Sequence, residues 1–308
     1  ICACLVGSEM CIRDRSYTVK QNDSYINVLD VLKNEFLLSA RLITKLKQSN
    51  NIFFNEEITY TKKLVCANDV VSVLIDFVED NSNIVATNIP LDIIYEDEYL
   101  LAINKPANMP VHPSMLHYEE TLSNAVKYYF DTLNLKRKIR IVNRLDKDTS
   151  GIVIFAKNEY IQECLIKQMK TKELKKEYLA IVTGYLQKKS DTLCFPISRK
   201  EGSIIERTVN PNGDIAITHY NILKEQNNLS LVHVFLETGR THQIRVHFSH
   251  INHPILGDTL YGTPSPLINR QALHSYKITL LHPISKQILT LEAPIPNLSL
   301  IHISEPTR

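Results

Sequence analysis

Beyond residue 88 the chain is written in short apolar runs of strand length, among them residues 93–95, 100–103, 152–156, 178–182 and 229–236, with few helical patterns between them. Such runs, bounded by polar breaks, read as strands. A parallel sheet would need a long crossover, usually a helix, in every connection. No regular strand-helix alternation is present, so the pattern predicts an α+β domain on a mixed, largely antiparallel central β-sheet. The clearest helix among the strands places Ile161, Cys164, Leu165 and Met169 on one face, with Asn158 positioned to cap it. With 44% hydrophobic residues in 308, the chain can bury a substantial core.

The first part of the chain has a different grammar. Val28, Leu29, Val31, Leu32 and Phe36 recur at helical spacing. Ser39 can then cap a second helix carrying Leu42, Ile43 and Leu46, and Asn50-Asn51 marks a turn before a short strand at 52–54 and an apolar run at 70–77. Residues 16–78 are read as a small α/β unit that resembles the RNA-binding domain named after ribosomal protein S4. Its Lys33, Arg41, Lys45 and Lys47 are offset by Asp23, Asp30 and Glu35, a modest basic surface that also suits a degenerate, mainly structural copy. Residues 79–88 offer little to bury and are read as an acidic linker. Residues 89–297 form the second domain. Residues 1–15 and 298–308 resemble translated sequencing-adapter sequence and are set aside as disordered or loosely attached artefacts.

No stretch approaches the roughly 18 uninterrupted apolar residues of a membrane helix. No basic segment followed by an apolar block suggests a leader. The six cysteines contain no Cys-x-x-Cys pair, so neither a zinc site nor a disulfide framework is indicated. A cytoplasmic protein, monomeric and without a membrane partner, is expected. Charge is unevenly spread. Residues 76–98 hold seven acids and no base, whereas residues 127–176 hold thirteen Lys or Arg against six Asp or Glu. A basic face of this kind is either merely solvated or meets a phosphate-rich ligand.

Within the basic region a polar loop, residues 143–151, lies between the apolar pair Ile141-Val142 and the run at 152–156. On local evidence Asp146, beside Arg144 and Lys147, reads as an ion pair or turn-former. Remote motifs change that reading. Arg144-Leu145-Asp146 with Thr149-Ser150-Gly151, then Lys176-Glu177-Tyr178-Leu179-Ala180, then the nine residues from Gly239 to His247 occur in that order. With Asn104-Lys105-Pro106, the segment from His253 to Asp258 and Ala293-Pro294, the set resembles the RluA/RluD family of pseudouridine synthases over about residues 89–296.

The resemblance implies a pseudouridine synthase fold and an isomerase that converts specific uridines to pseudouridine in structured RNA. Large-subunit (23S) ribosomal RNA is the expected substrate; transfer RNA and a non-catalytic RNA-binding relative are the alternatives. It implies no cofactor and no metal. Asp146 becomes the catalytic carboxylate, Arg245 its ion-pair partner, and Tyr178 the ring that stacks on uracil and assists with the C5 proton. Arg144 is expected to fill the gap left in the RNA by a flipped nucleotide. Asn143, Lys147, Arg240, His242 and Gln243 are the further expected RNA contacts, with Arg240 a second candidate for the basic position of Arg245.

Two departures stand out: Asn143 replaces the His common before Arg-Leu-Asp, and Asn108 stands where Gly often follows Lys-Pro-Ala. Thr241 is expected to cap a helix starting at His242. Histidines 242, 247, 250 and 253 could share a metal, but capping and structural hydrogen bonds are the preferred reading. Eight glycines in all leave little room for a phosphate-binding Gly-rich loop. A glycoside hydrolase using Asp146 and Asp148 is the rival from another class, since that chemistry also needs two carboxylates.

Overall fold

The computed structural model describes residues 15–75, 79, 81–115 and 117–296. Its N-terminal unit runs β1 (Arg15–Thr18), α1 (Val28–Asp30), a π-helical turn (Val31–Glu35), α2 (Ala40–Gln48), β2 (Ile52–Phe54), β3 (Glu57–Ile58) and β4 (Val70–Val73). The strands form an antiparallel sheet in the order β1-β4-β2-β3. Ser39 caps α2 by accepting from the Leu42 amide, and Leu42, Ile43 and Leu46 face inward. Asn50 adopts a left-handed φ of 55° in the turn. The first expected helix is only one α-turn, capped by Asn27, before it widens to π geometry.

The larger unit contains β5 (Ile93–Glu96), β6 (Leu100–Lys105), α3 (Leu122–Thr132), β7 (Arg140–Ile141), β8 (Ser150–Ala156), α4 (Glu159–Lys170), β9 (Lys175–Thr183), β10 (Ser190–Cys194), β11 (Ile197–Arg199), β12 (Arg207–Val209), β13 (Ile217–Gln226), β14 (Leu229–Leu236), α5 (Gln243–His250), β15 (Leu273–Leu281) and β16 (Ile288–Glu292). Its main sheet runs β10-β13-β14-β9-β15-β8-β6-β5, with β16 beside β15 and β7 beside β8. Among the described residues every pairing is antiparallel except β15 with β8, where His274 and Ser275 lie opposite Ser150 and Gly151. That junction demands glycine: Gly151 has φ +109°, and a β-carbon there would sit 2.2 Å from the Ser275 carbonyl oxygen. One apolar core lies over the β9, β14 and β15 half of the sheet and another under β6 and β8. Leu145 packs against both.

The N-terminal unit is docked rather than tethered. Val31, Leu32 and Leu42 share a continuous core with Leu100, Tyr160, Leu165 and Leu291. Asn158 caps α4 as expected, so the buried Tyr160 and Ile161 follow directly. In the segment read as a solvated linker, Glu79 is buried against Arg140 and accepts from Lys45 at 2.9 Å. The Asn81 amide donates to the Arg137 carbonyl at 2.9 Å. With Glu159, which meets Lys45 at 2.9 Å and Arg140 at 3.7 Å, two cations and two carboxylates balance one another here, a pairing that composition alone does not reveal. Arg15, counted with the adapter-like residues, opens β1 opposite Val73 and lies 4.9 Å over the Tyr160 ring. The remainder of both adapter-like segments lies outside the described residues, as do Asp76, Phe77 and Asp80. Among the described residues no helix is long and apolar enough to cross a membrane.

Candidate active site

The loop after β7 is held from three sides. Asn143 is buried, and its amide donates to the Ile152 carbonyl at 3.0 Å while accepting from the Ile154 amide at 2.9 Å. Lys105, at the end of β6, is fully buried and donates to the carbonyls of Pro106, Met109 and Lys147 at 2.7, 2.8 and 2.9 Å. Burial pulls its ammonium down to about 7, with Asp148 and Asp146 opposing the shift only in part. Thr149 accepts from Gln271 at 2.9 Å, and Asn108 takes a left-handed φ of 60° in the adjoining turn. The loop is therefore rigid where it presents Asp146 to a cleft of about 640 Å³.

Facing it is the start of α5. Thr241 does not cap this helix: His242, at φ 58°, occupies the cap position without a side-chain bond, and the helix begins at Gln243. The Gln243 side chain fixes the entry instead, accepting from Arg240 N and Thr238 Oγ1 at 2.9 and 2.8 Å and donating to Ile217 O and Thr218 Oγ1 at 3.0 and 2.9 Å. Half a turn later Arg245 points into the cleft. Its NH1 donates to Asp146 Oδ2 at 3.0 Å, while Nε and NH2 fork onto both oxygens of Asp258 at 2.7 and 2.8 Å.

Asp258 is the residue that sequence reasoning missed, although it closes the 253–258 segment already matched. It has no exposed surface and also accepts from the amides of Leu260 and Tyr261. Burial alone would push its pKa up, but Arg245 and those two amides bring it below the ordinary carboxylate range. Burial would likewise lower the Arg245 guanidinium. The hydrogen bonds and charges of Asp258 and Asp146 outweigh it and hold the cation well above its usual value. Asp258 thus neutralises and aims a buried arginine whose remaining face meets Asp146. The Asp146 side chain is 25% exposed, so it remains reachable, and its Oδ1 lies 3.8 Å from His242 Nε2. The His242 imidazole is pushed towards its neutral form by burial, which Asp146 counters only partly. Its Nδ1 is 2.8 Å from the Tyr261 hydroxyl.

Tyr178 lines the same cleft from β9, opposite Ser275 of β15. Burial raises its phenol far above the usual range, so the resting group is a neutral donor. Arg144 is exposed at the rim, with no hydrogen bond or ion pair among the described residues. Arg240 also borders the cleft, held by Ile215 O at 3.1 Å and Asp214 at 3.5 Å.

Three of the expected RNA contacts differ in their surroundings. The amides of Asn143 and Gln243 line the cleft wall but are engaged with protein groups, Asn143 with β8 and Gln243 with β13 and its own loop. Lys147 is exposed and does not border the cleft; only its carbonyl, held by Lys105, belongs to the site. Asp148 is not in the cleft wall either, which removes the paired carboxylate of the hydrolase reading. His247 bonds Phe195 O, His253 bonds Thr183 O, and His250 meets the Phe195 ring edge to face. Among the described residues no group of His, Cys, Asp or Glu is arranged to hold a metal.

The family model described as RNA pseudouridylate synthase matches residues 99–250. The chain is 39% identical over 280 residues to the uncharacterized RNA pseudouridine synthase YhcT of Bacillus subtilis (strain 168), covering 90% of this chain and 91% of that protein. It is also 39% identical over 245 residues to ribosomal large subunit pseudouridine synthase D of Nitrosomonas europaea, covering 77% and 71% respectively. The solved structure of human RNA Pseudouridylate Synthase Domain Containing 4 superposes with a TM-score of 0.58 at 22% identity, over 70% of this chain and 94% of that one, a likeness of fold.

Proposed function

The chain belongs to the RNA pseudouridylate synthase family and is an isomerase, and we propose that it converts uridine to pseudouridine in large-subunit ribosomal RNA with Asp146 as the catalytic carboxylate. The observation that carries this reading is the hydrogen-bonded chain Asp258–Arg245–Asp146, buried at Asp258 and Arg245 and open to the cleft at Asp146. A carboxylate can attack ribose C1′ or remove the C2′ proton only while ionised, and Arg245 holds this one in place by a bond of 3.0 Å. The N1–C1′ bond breaks, the uracil turns in place, C5 bonds to C1′, N1 gains a proton and C5 loses one. Product and substrate have the same composition, so no external oxidant or group donor enters. Tyr178 stacks on the base and, as a neutral phenol beside it, can relay the C5 proton. Arg144, unrestrained at the rim, enters the stack where the target nucleotide has left it. The name of the Nitrosomonas relative supports ribosomal over transfer RNA.

Residues 16–78 are proposed to be a domain of the S4 type that buttresses the catalytic domain more than it binds RNA. Lys45 is already engaged by Glu79 and Glu159 at 2.9 Å each, which diminishes its basic face.

Incubation with ribosomal and transfer RNA tritiated at uracil C5, followed by mapping of the product, tests the proposal. Tritium should be released from large-subunit RNA, and Asp146→Asn should abolish release while leaving RNA binding largely intact. No release from any folded RNA, with the protein intact, would overturn the reading; release from transfer RNA alone would replace the substrate.

A further inference from the structure

Strand β9 brings a second functional group to the cleft. Side chains two apart on a strand share a face and are separated by about 7 Å, so Lys176 accompanies Tyr178. Lys176 borders both the active-site cleft and an adjoining groove of about 760 Å³. That groove is lined by Lys170, Lys172, Lys175, Phe235, Glu237 and Arg240, among others. The neighbouring Lys172 is paired with Glu237. The Lys176 ammonium has no hydrogen bond or ion pair among the described residues, and burial depresses its pKa with no carboxylate opposing the shift. It rests against Gly239, where a β-carbon would come within 3.1 Å of Nζ. A partly desolvated cation without a counter-ion is unfavourable unless an anion completes it.

We propose that Lys176 binds the backbone phosphate of the target nucleotide, where the RNA strand passes from the active-site cleft into the lysine-lined groove. The proposal rests on the cleft being the uridine site. The roughly 7 Å from Tyr178 to Lys176 suits a nucleotide whose base stacks on the ring and whose phosphate meets the ammonium. Gly239 leaves the ammonium its place: a β-carbon there would meet Nζ at 3.1 Å and push it aside by a few tenths of an ångström.

The test uses the full chain and a large-subunit ribosomal RNA transcript tritiated at uracil C5, with binding measured separately by filter retention across a salt series. Lys176→Met should raise KM and Kd about 10- to 100-fold with kcat changed only a few-fold. The salt dependence of log Kd should become shallower by about 0.7 to 0.9, one phosphate contact fewer. Lys176→Arg should recover most of the affinity. Gly239→Ala keeps the charge but displaces it and should raise KM several-fold. Unchanged affinity and salt slope in Lys176→Met would overturn the assignment, as would a collapse of kcat at unchanged KM. If Lys176→Met fails to fold, an unchanged KM in Gly239→Ala overturns it instead. Wild-type protein that binds the transcript but releases no tritium would refute the isomerase reading while leaving the salt-slope comparison intact.

Discussion

Replacing Asp258 by Asn tests how Asp146 is kept in place. Arg245 makes two of its three carboxylate bonds to Asp258. Asparagine preserves the shape but removes the charge and turns an NH2 group towards the guanidinium. Breaking a buried ion pair from one side costs about 3–5 kcal/mol, a large part of a total stability of about 5–15 kcal/mol. For a chain of 308 residues the midpoint should fall by roughly 5–8 °C. Arg245, released from one side, can shift towards Asp146. Displacement of a reacting group by about 1 Å lowers turnover about 100-fold. Asp258 does not border the cleft, so RNA affinity should change little. Thermal unfolding gives the first quantity, and tritium release below the variant's midpoint gives the second. A variant with wild-type midpoint and wild-type kcat would show that Asp258 neither supports Arg245 nor, through it, Asp146.

Gly151→Ala should destabilise by about 3–5 kcal/mol, because it combines left-handed backbone strain with a 2.2 Å approach to the Ser275 carbonyl; a urea midpoint close to wild type would mean that β15 can shift away from β8. Tyr178→Phe keeps the ring but removes the proton relay, so RNA affinity should hold while turnover drops about 100-fold or more, and unchanged tritium release would leave the phenol with stacking alone. Burial would raise the Glu79 carboxyl, but Arg140 and Lys45 outweigh it and bring it down from 4.5 to about 2. Its contribution is complete above about pH 4.5 and is lost as pH falls towards 2, roughly 1–2 kcal/mol after solvent screening. Glu79→Gln should remove that increment at pH 7 and flatten the acid limb of the unfolding curve; identical curves from pH 2 to 6 would dismiss the clamp between the two units.

Features that depend on a few neighbouring residues were legible without coordinates. Ser39 and Asn158 cap their helices because a side-chain oxygen two or three residues before a free amide can reach it in almost any tertiary setting. The strands around the Asp146 loop follow from apolar runs, and the ordered motifs named the family that the comparisons show. What each polar side chain would bond to was not legible. Only the sheet register shows which backbone groups are left open for the amides of Asn143 and Gln243 to bond. Thr241 looks like a cap until the left-handed turn at His242 carries the chain into the helix without it. Asp258 looks like a loop carboxylate, and Lys176 like one lysine among many. Local sequence determines which groups can donate, accept or carry charge. Only packing decides which of them lose water, and loss of water obliges Asp258 to pair with Arg245 and leaves Lys176 without a partner among the described residues.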